Sequence, residues 1–214
     1  RGRHELFPRL ARTSSRAAEA YALGISACAR GGQWRHGQAL LRDAMARGVA
    51  LRPEGVSELV ACLSVAGRGR EAVSLLQELV GAGFTPSVLD YECAVDALRV
   101  SGMARHAVWL VGQARRKGLR PSRQCFLAAL SAAAAEGDSA LATTMVALAR
   151  GDGVFPCASM LASAVEAVVR GDRTRSSPAA RRLLDPLWRS LAHMRPAADV
   201  HQYHCMLHAS AELR

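Results

Sequence analysis

The sequence predicts an all-α protein built from stacked helix–turn–helix repeats of about 35 residues. Three observations predict it. First, Gly32, Gly67, Gly102 and Gly137 stand 35 residues apart, and Gly48, Gly83, Gly118 and Gly153 keep the same step. Gly37, Ala72, Ala107 and Ala142 share that period, as do Pro86, Pro121 and Pro156, and one period across independent columns marks a repeat architecture. Second, the apolar columns follow it: Ile25, Val60, Val95, Leu130 and Val165, then Cys28, Leu63, Leu98, Ala133 and Val168 three residues on. Spacings of three and four residues place these side chains on helix faces. Third, Ala fills 41 of 214 positions and aromatics only 5%. Ala is the best helix former and is depleted in strands, so a β-sandwich is disfavoured.

The elements follow in chain order. Residues 1–18 form a basic N-terminal arm, with Arg1, Arg3, Arg9, Arg12 and Arg16 against Glu5. Its composition is similar to the tail of an organellar transit segment, so a processed or partial N-terminus is expected. Residues 19–158 hold four repeats, at about 19–53, 54–88, 89–123 and 124–158. In each, helix A ends at the first Gly, which tolerates the left-handed conformation of a helix C-terminus. The small residue five positions later lets helix B lie close to helix A. The second Gly ends helix B, and a Pro three residues on blocks its continuation. Pro53 misses the proline column by two residues, which suggests a two-residue insertion in the first repeat. Residues 159–199 read as a degenerate fifth repeat whose turn is lengthened by Arg173–Pro178. Residues 200–214 read as the first helix of a truncated sixth, so the array is expected to continue. One hairpin cannot bury both faces, so neighbouring repeats must stack.

Composition narrows the function classes. The net charge is +10, from 28 basic and 18 acidic residues, and every basic residue but Lys117 is Arg. That balance suits a polyanionic partner without setting specificity. The longest mostly apolar run, Cys125–Ala135, is about half of what a membrane-spanning helix needs. Cys28, Cys62, Cys93, Cys125, Cys157 and Cys205 include no CxxC pair and read as small buried hydrophobes in a reducing compartment. There is no glycine-rich phosphate loop, no Ser/His/Asp motif and no carboxylate cluster of a metal-dependent nuclease, so no enzymatic activity and no cofactor are expected. The triplet His201, His204 and His208 shares a helix face, but no acidic or Cys partner completes it, which leaves a weak metal candidate. Trp34, Trp109 and Trp188 fall on or beside B helices and read as packing residues.

Residues 89–122, LDYECAVDALRVSGMARHAVWLVGQARRKGLRPS, and 21–41, YALGISACARGGQWRHGQALL, show what the repeat resembles. An aromatic near the start, Gly at the turn, Ala at the tight crossing and Gly–x–x–Pro at the exit resemble the pentatricopeptide repeat. The tetratricopeptide repeat has a 34-residue period and an early helix-A Gly that three of the four units lack. The resemblance covers about 19–170 well and 171–214 loosely.

The resemblance implies a right-handed α-solenoid whose A helices line the concave surface and bind single-stranded RNA in mitochondria or plastids. It also implies that two residues per repeat read one base. In this sequence the helix-A positions are Ala22, Ser57, Glu92, Leu127 and Ala162, and the repeat-end positions are Ser87, Ser122 and Cys157. Family members with clear base preference use Asn, Thr or Ser at the first position and Asp or Asn at the second. Only Ser57 matches, so base reading along the whole face is not expected. Arg30 and Arg170 are equivalent, two residues before the turn, and Arg99 sits one residue earlier in its unit. Such cations suit phosphates, and equally suit the negative end of a helix dipole. Two function classes follow: an organellar RNA-binding protein, acting on single-stranded or ribosomal RNA, or a protein–protein scaffold subunit of a large organellar complex. No small-molecule substrate is expected.

Overall fold

The computed structural model describes residues 6–49, 53–171 and 189, with side chains from residue 16. Among the described residues there are nine helices and no strands. They are α1 (Leu6–Arg30), α2 (Trp34–Ala46), α3 (Pro53–Val65), α4 (Gly69–Gly81), α5 (Val88–Val100), α6 (Ala104–Arg116), α7 (Arg123–Glu136), α8 (Ser139–Gly151) and α9 (Ala158–Gly171). Odd-numbered elements are the A helices and even-numbered ones the B helices. The chain is all-α and repeats helix–turn–helix with the period read from the sequence.

The glycine columns act as expected. All eight glycines of the two columns have φ between +63° and +83°. Each sits just past a helix end, and the flanking amides fold back onto the last turn. After α1, the Gln33 N–H donates to the Cys28 carbonyl at 2.8 Å and Gly32 N–H to the Ala29 carbonyl at 3.1 Å. The same pair of bonds recurs after α4, from Phe84 to Leu79 and from Gly83 to Val80. These six-to-one and five-to-two bonds satisfy carbonyls that a helix end otherwise leaves orphaned.

One expectation is corrected. Pro53 is the first residue of α3, and α3, α5, α7 and α9 begin at 53, 88, 123 and 158, each 35 apart. Gly48 stands five residues before α3 as Gly83 does before α5, so the first repeat contains no insertion before Pro53. Pro suits the first helical turn, where its missing N–H would be unpaired anyway. Of the basic segment 1–18, residues 6–18 belong to α1. The lengthened turn of the fifth repeat, the sixth-repeat helix, Trp188, Cys205 and the His201, His204 and His208 triplet lie outside the described residues.

The molecule divides into two compact units within α5, residues 1–97 and 98–214. In the first, α1 packs on α2 and α3, and α3 on α4. Ile25, Leu41, Leu59, Leu63, Leu75 and Leu79 are buried there. In the second, α7 packs on α6, α8 and α9 around buried Phe126, Leu130, Met145, Met160 and Leu161. Ion pairs join successive B helices on the outside. Arg42 of α2 grips Glu78 of α4 with two bonds of 3.0 Å. Arg115 of α6 reaches Asp152, just past α8, at 2.6 to 2.9 Å.

The cysteines follow their columns. Cys62 and Cys125 are buried, and Cys28, Cys93 and Cys157 are half-buried, all five unbridged. Burial pushes the Cys62 and Cys93 thiols up from the usual range. Trp109 departs from expectation: it is 41% exposed on α6 rather than packed. Trp34 is half-buried at the start of α2, with the Arg35 and Arg68 guanidinium groups 4.8 and 5.1 Å from its ring centre.

Candidate nucleic-acid interface

The candidate residues lie on the A helices and at their entries. On each A helix, residues spaced by three, four and seven share the face not used for core packing. In the first unit that face carries Glu19, Leu23 and Ser26 on α1, and Glu54, Glu58 and Val65 on α3. On α5 it carries Leu89 and the half-buried Glu92 and Asp96. The Ser26 hydroxyl donates to Glu58 across the α1–α3 seam. One helix further, the Ser64 hydroxyl donates to Asp96 at 3.0 Å. Glu19, Ala22, Leu23, Ser26, Glu54 and Glu58 border a cavity of about 310 Å³. The face of the first unit thus carries more carboxylates than cations. Its cations are Arg16 and Arg30 on α1, both exposed, the Arg30 Nε 3.5 Å from the Ser26 carbonyl.

The second unit differs. Its A-helix face carries Gln124, Leu127 and Ser131 on α7, and Ser159 and Ser163 on α9, while Ala162 is buried. The acid on this stretch is Glu166, which pairs with Arg170 one turn on at 2.6 Å. Arg99 and Arg123 are exposed, at the end of α5 and the start of α7. Residues 98–171 hold nine Arg and Lys against four Asp and Glu, a net +5; residues 6–49 and 53–97 hold nine against nine. The charge asymmetry is therefore built into the repeats themselves.

The predicted base-reading positions are placed unequally. Ser57 and Glu92 are half-buried on α3 and α5. Ser87 and Ser122 are exposed, each one residue before an A helix. Ser87 is committed locally. Its N–H and hydroxyl donate to Asp90 Oδ2 at 2.7 and 2.9 Å, and the Asp90 N–H returns to the hydroxyl at 3.3 Å. This is a capping box with Asp in place of the usual Glu or Gln, and it uses the hydroxyl proton. Asp90 is 1% exposed, and its Oδ1 has no partner. Ser122 holds the N-cap position of α7 with extended backbone and makes no side-chain cap. The sequence reading missed Glu19, Glu54 and Glu58 as a group, although Glu19 and Glu54 are one period apart.

Among the described residues, no three His, Cys, Asp or Glu side chains converge as metal ligands. No described helix is long and apolar enough to cross a membrane.

Comparison with solved structures settles the architecture. The chain superposes on the pentatricopeptide-repeat domain of Arabidopsis thaliana protein-only RNase P 1, solved in complex with tRNA, with a TM-score of 0.72 and 14% identity over 91% of this chain and 99% of that one. The fold is the pentatricopeptide-repeat fold. The nuclear proteinaceous RNase P 2 of A. thaliana matches with a TM-score of 0.74 and 10% identity over 92% of this chain. The pentatricopeptide repeat protein PPR10, in complex with an 18-nt psaJ RNA element, matches at 0.55 and 18% over 90% of this chain. The chain spans 43% and 31% of those two proteins. No family model and no curated protein matches the sequence.

Proposed function

We propose that the chain is a non-enzymatic RNA-binding protein of the pentatricopeptide-repeat type that holds RNA on the A-helix face of its second unit. It acts on single-stranded or ribosomal RNA, in RNA metabolism or as a ribonucleoprotein subunit. The observation that carries this is that the A helices of the second unit hold three exposed cations, on a face that is small and polar apart from Leu127. Residues 98–171 as a whole carry +5, most of the cations lying on B helices and their exits. Exposed Arg99, Arg123 and Arg170 suit phosphates, while Gln124, Ser131 and Ser163 offer hydrogen bonds to unstacked bases. Related folds have been solved with tRNA and with a psaJ RNA element bound. Leu127 and Ala162 occupy two base-reading positions and cannot hydrogen-bond a base, so contact is mainly to the backbone. The organellar setting rests on the family resemblance and on the basic segment 1–18.

The test is binding of the chain to a pool of single-stranded RNAs at two salt concentrations. Backbone contact gives sequence-blind binding that weakens as salt rises. Each of Arg99→Ala, Arg123→Ala and Arg170→Ala then reduces the slope of log K against log salt by up to about one. Undetectable binding at low salt would refute the proposal.

A further inference from the structure

Between α1 and α3 the A-helix face of the first unit opens into a cavity lined by three carboxylates and no cation, which suits a partner other than RNA. Helices α1 and α3 approach closely where Gly55 faces the Ala22 backbone; a Cβ at Gly55 would stand 3.4 Å from the Ala22 carbonyl oxygen. Beside this contact lies the cavity of about 310 Å³, open between the two helices. Ala22 and Gly55 line it together with Glu19, Glu54 and Glu58. Carboxylates so grouped repel a phosphate chain. Ala22 and Gly55 supply no side-chain hydrogen bond for a base. What three carboxylates beside small apolar residues hold well is a planar cation with several N–H donors.

The surroundings indicate that the cation is carried by a polypeptide. Two large apolar side chains stand exposed on the same face. Leu23, which lines the cavity, is 67% exposed, and Val65, at the end of α3, is 91% exposed. Leu89 on the next A helix is 59% exposed. Carboxylates and aliphatic side chains thus alternate over three successive A helices. An amphipathic basic segment complements such a face: its cations meet the carboxylates and its apolar side chains cover the leucines and the valine.

We propose that the A-helix face of the first unit docks a basic amphipathic polypeptide segment of a partner protein, with an Arg side chain seated between Glu19, Glu54 and Glu58 and apolar side chains resting on Leu23 and Val65. The two units then divide the work: the second holds RNA, the first holds protein. The docking claim stands or falls independently of the RNA claim, because it uses different residues.

The test is fluorescence anisotropy with the whole chain and a labelled peptide carrying Arg and Leu at helical spacing, alongside a control peptide with Glu in place of Arg. The Arg peptide binds and the Glu peptide does not. The double variant Glu54→Gln/Glu58→Gln weakens the Arg peptide by about tenfold, equivalent to about 1.4 kcal/mol. Leu23→Ser weakens it too, whereas Glu71→Gln on α4 leaves it unchanged. These residues are exposed or half-buried, and circular dichroism verifies that each variant folds. Peptide binding indifferent to Glu54 and Glu58 would overturn the inference. So would displacement of the peptide from the native chain by RNA that itself loses affinity in Leu23→Ser, since RNA would then occupy this face.

Discussion

Gly37 and Leu59 are paired by size: a Cβ at Gly37 would stand 2.7 Å from the Leu59 Cδ1. The equivalent pairs in the later units are Ala72 with Ala94, Ala107 with Ala129 and Ala142 with Ala164. The first repeat has moved volume from helix B of one unit to helix A of the next while keeping the seam filled. The pair should therefore behave as one packing element. Gly37→Ala gains helix propensity but overpacks fully buried Leu59, for a net loss of about 1 kcal/mol. Leu59→Ala leaves a void and costs about 2–4 kcal/mol. The double variant restores the Ala/Ala seam and loses at least about 1 kcal/mol less than the sum of the two. A double-mutant cycle by urea unfolding measures this coupling.

A second close contact has no room to adjust. A Cβ on Gly171 would lie 2.2 Å from the Gly137 carbonyl oxygen, where the ends of α7 and α9 meet. Backbone cannot move aside as a leucine methyl can. Gly171→Ala therefore destabilises the second unit by more than about 3 kcal/mol. Gly151→Ala is the control: nothing lies within 4 Å of its added Cβ, and the change stabilises by about 0.5 kcal/mol. Thermal melts of the two variants should move in opposite directions.

Glu136 caps a helix of the preceding repeat. Its Oε1 accepts the Ala104 N–H at 2.7 Å, and α6 has no side-chain cap of its own from Met103. Ala104 is fully buried, so removing the acceptor strands an amide. Glu136→Ala should cost about 1–3 kcal/mol. Glu136→Gln keeps a carbonyl oxygen in reach and should retain most of that. Hydrogen exchange at Ala104 distinguishes this local role, since its protection falls in the Ala variant and survives in the Gln variant.

The Arg42–Glu78 pair makes stability depend on acid. The Arg42 hydrogen bonds hold the Glu78 carboxyl below the usual carboxylate range. A depressed folded value means stability present above the unfolded carboxylate value, near pH 4.3, and lost as pH falls through the folded value. The Arg42 side chain is 56% exposed, so the contribution is small and screened by salt. Melting temperatures of the native chain and of Arg42→Met should converge as pH is lowered from 6 to about 3. A constant gap over that range would remove Glu78 from the acid response.

Periodicity made the fold legible because one physical requirement, a left-handed residue after every helix, recurs at a fixed step. Proline was ambiguous. Pro53 serves as the first residue of α3, whereas Pro86 lies inside the linker before α5, and the bare sequence does not distinguish a helix starter from a helix stop. Trp109 shows a similar limit, since size alone does not say which side of an outer helix is covered. The candidate site was half legible. Its columns could be counted, but Ser87 is engaged by Asp90 through a bond between residues three apart, which only the turn geometry reveals. The carboxylates of Glu19, Glu54 and Glu58 form a group only once α1 lies against α3. Each is an ordinary surface acid until then.

The eight left-handed glycines give the protein a modular grammar. Every joint between helices closes with the same backbone hook, so a stretch cut at any one of them and rejoined 35 residues later meets a matching joint. A gene encoding such a chain can lengthen or shorten in whole cassettes without a new turn having to be invented. Substitutions can then be compensated across one seam, as the pairing of Gly37 with Leu59 shows, while the other seams keep their Ala/Ala fit.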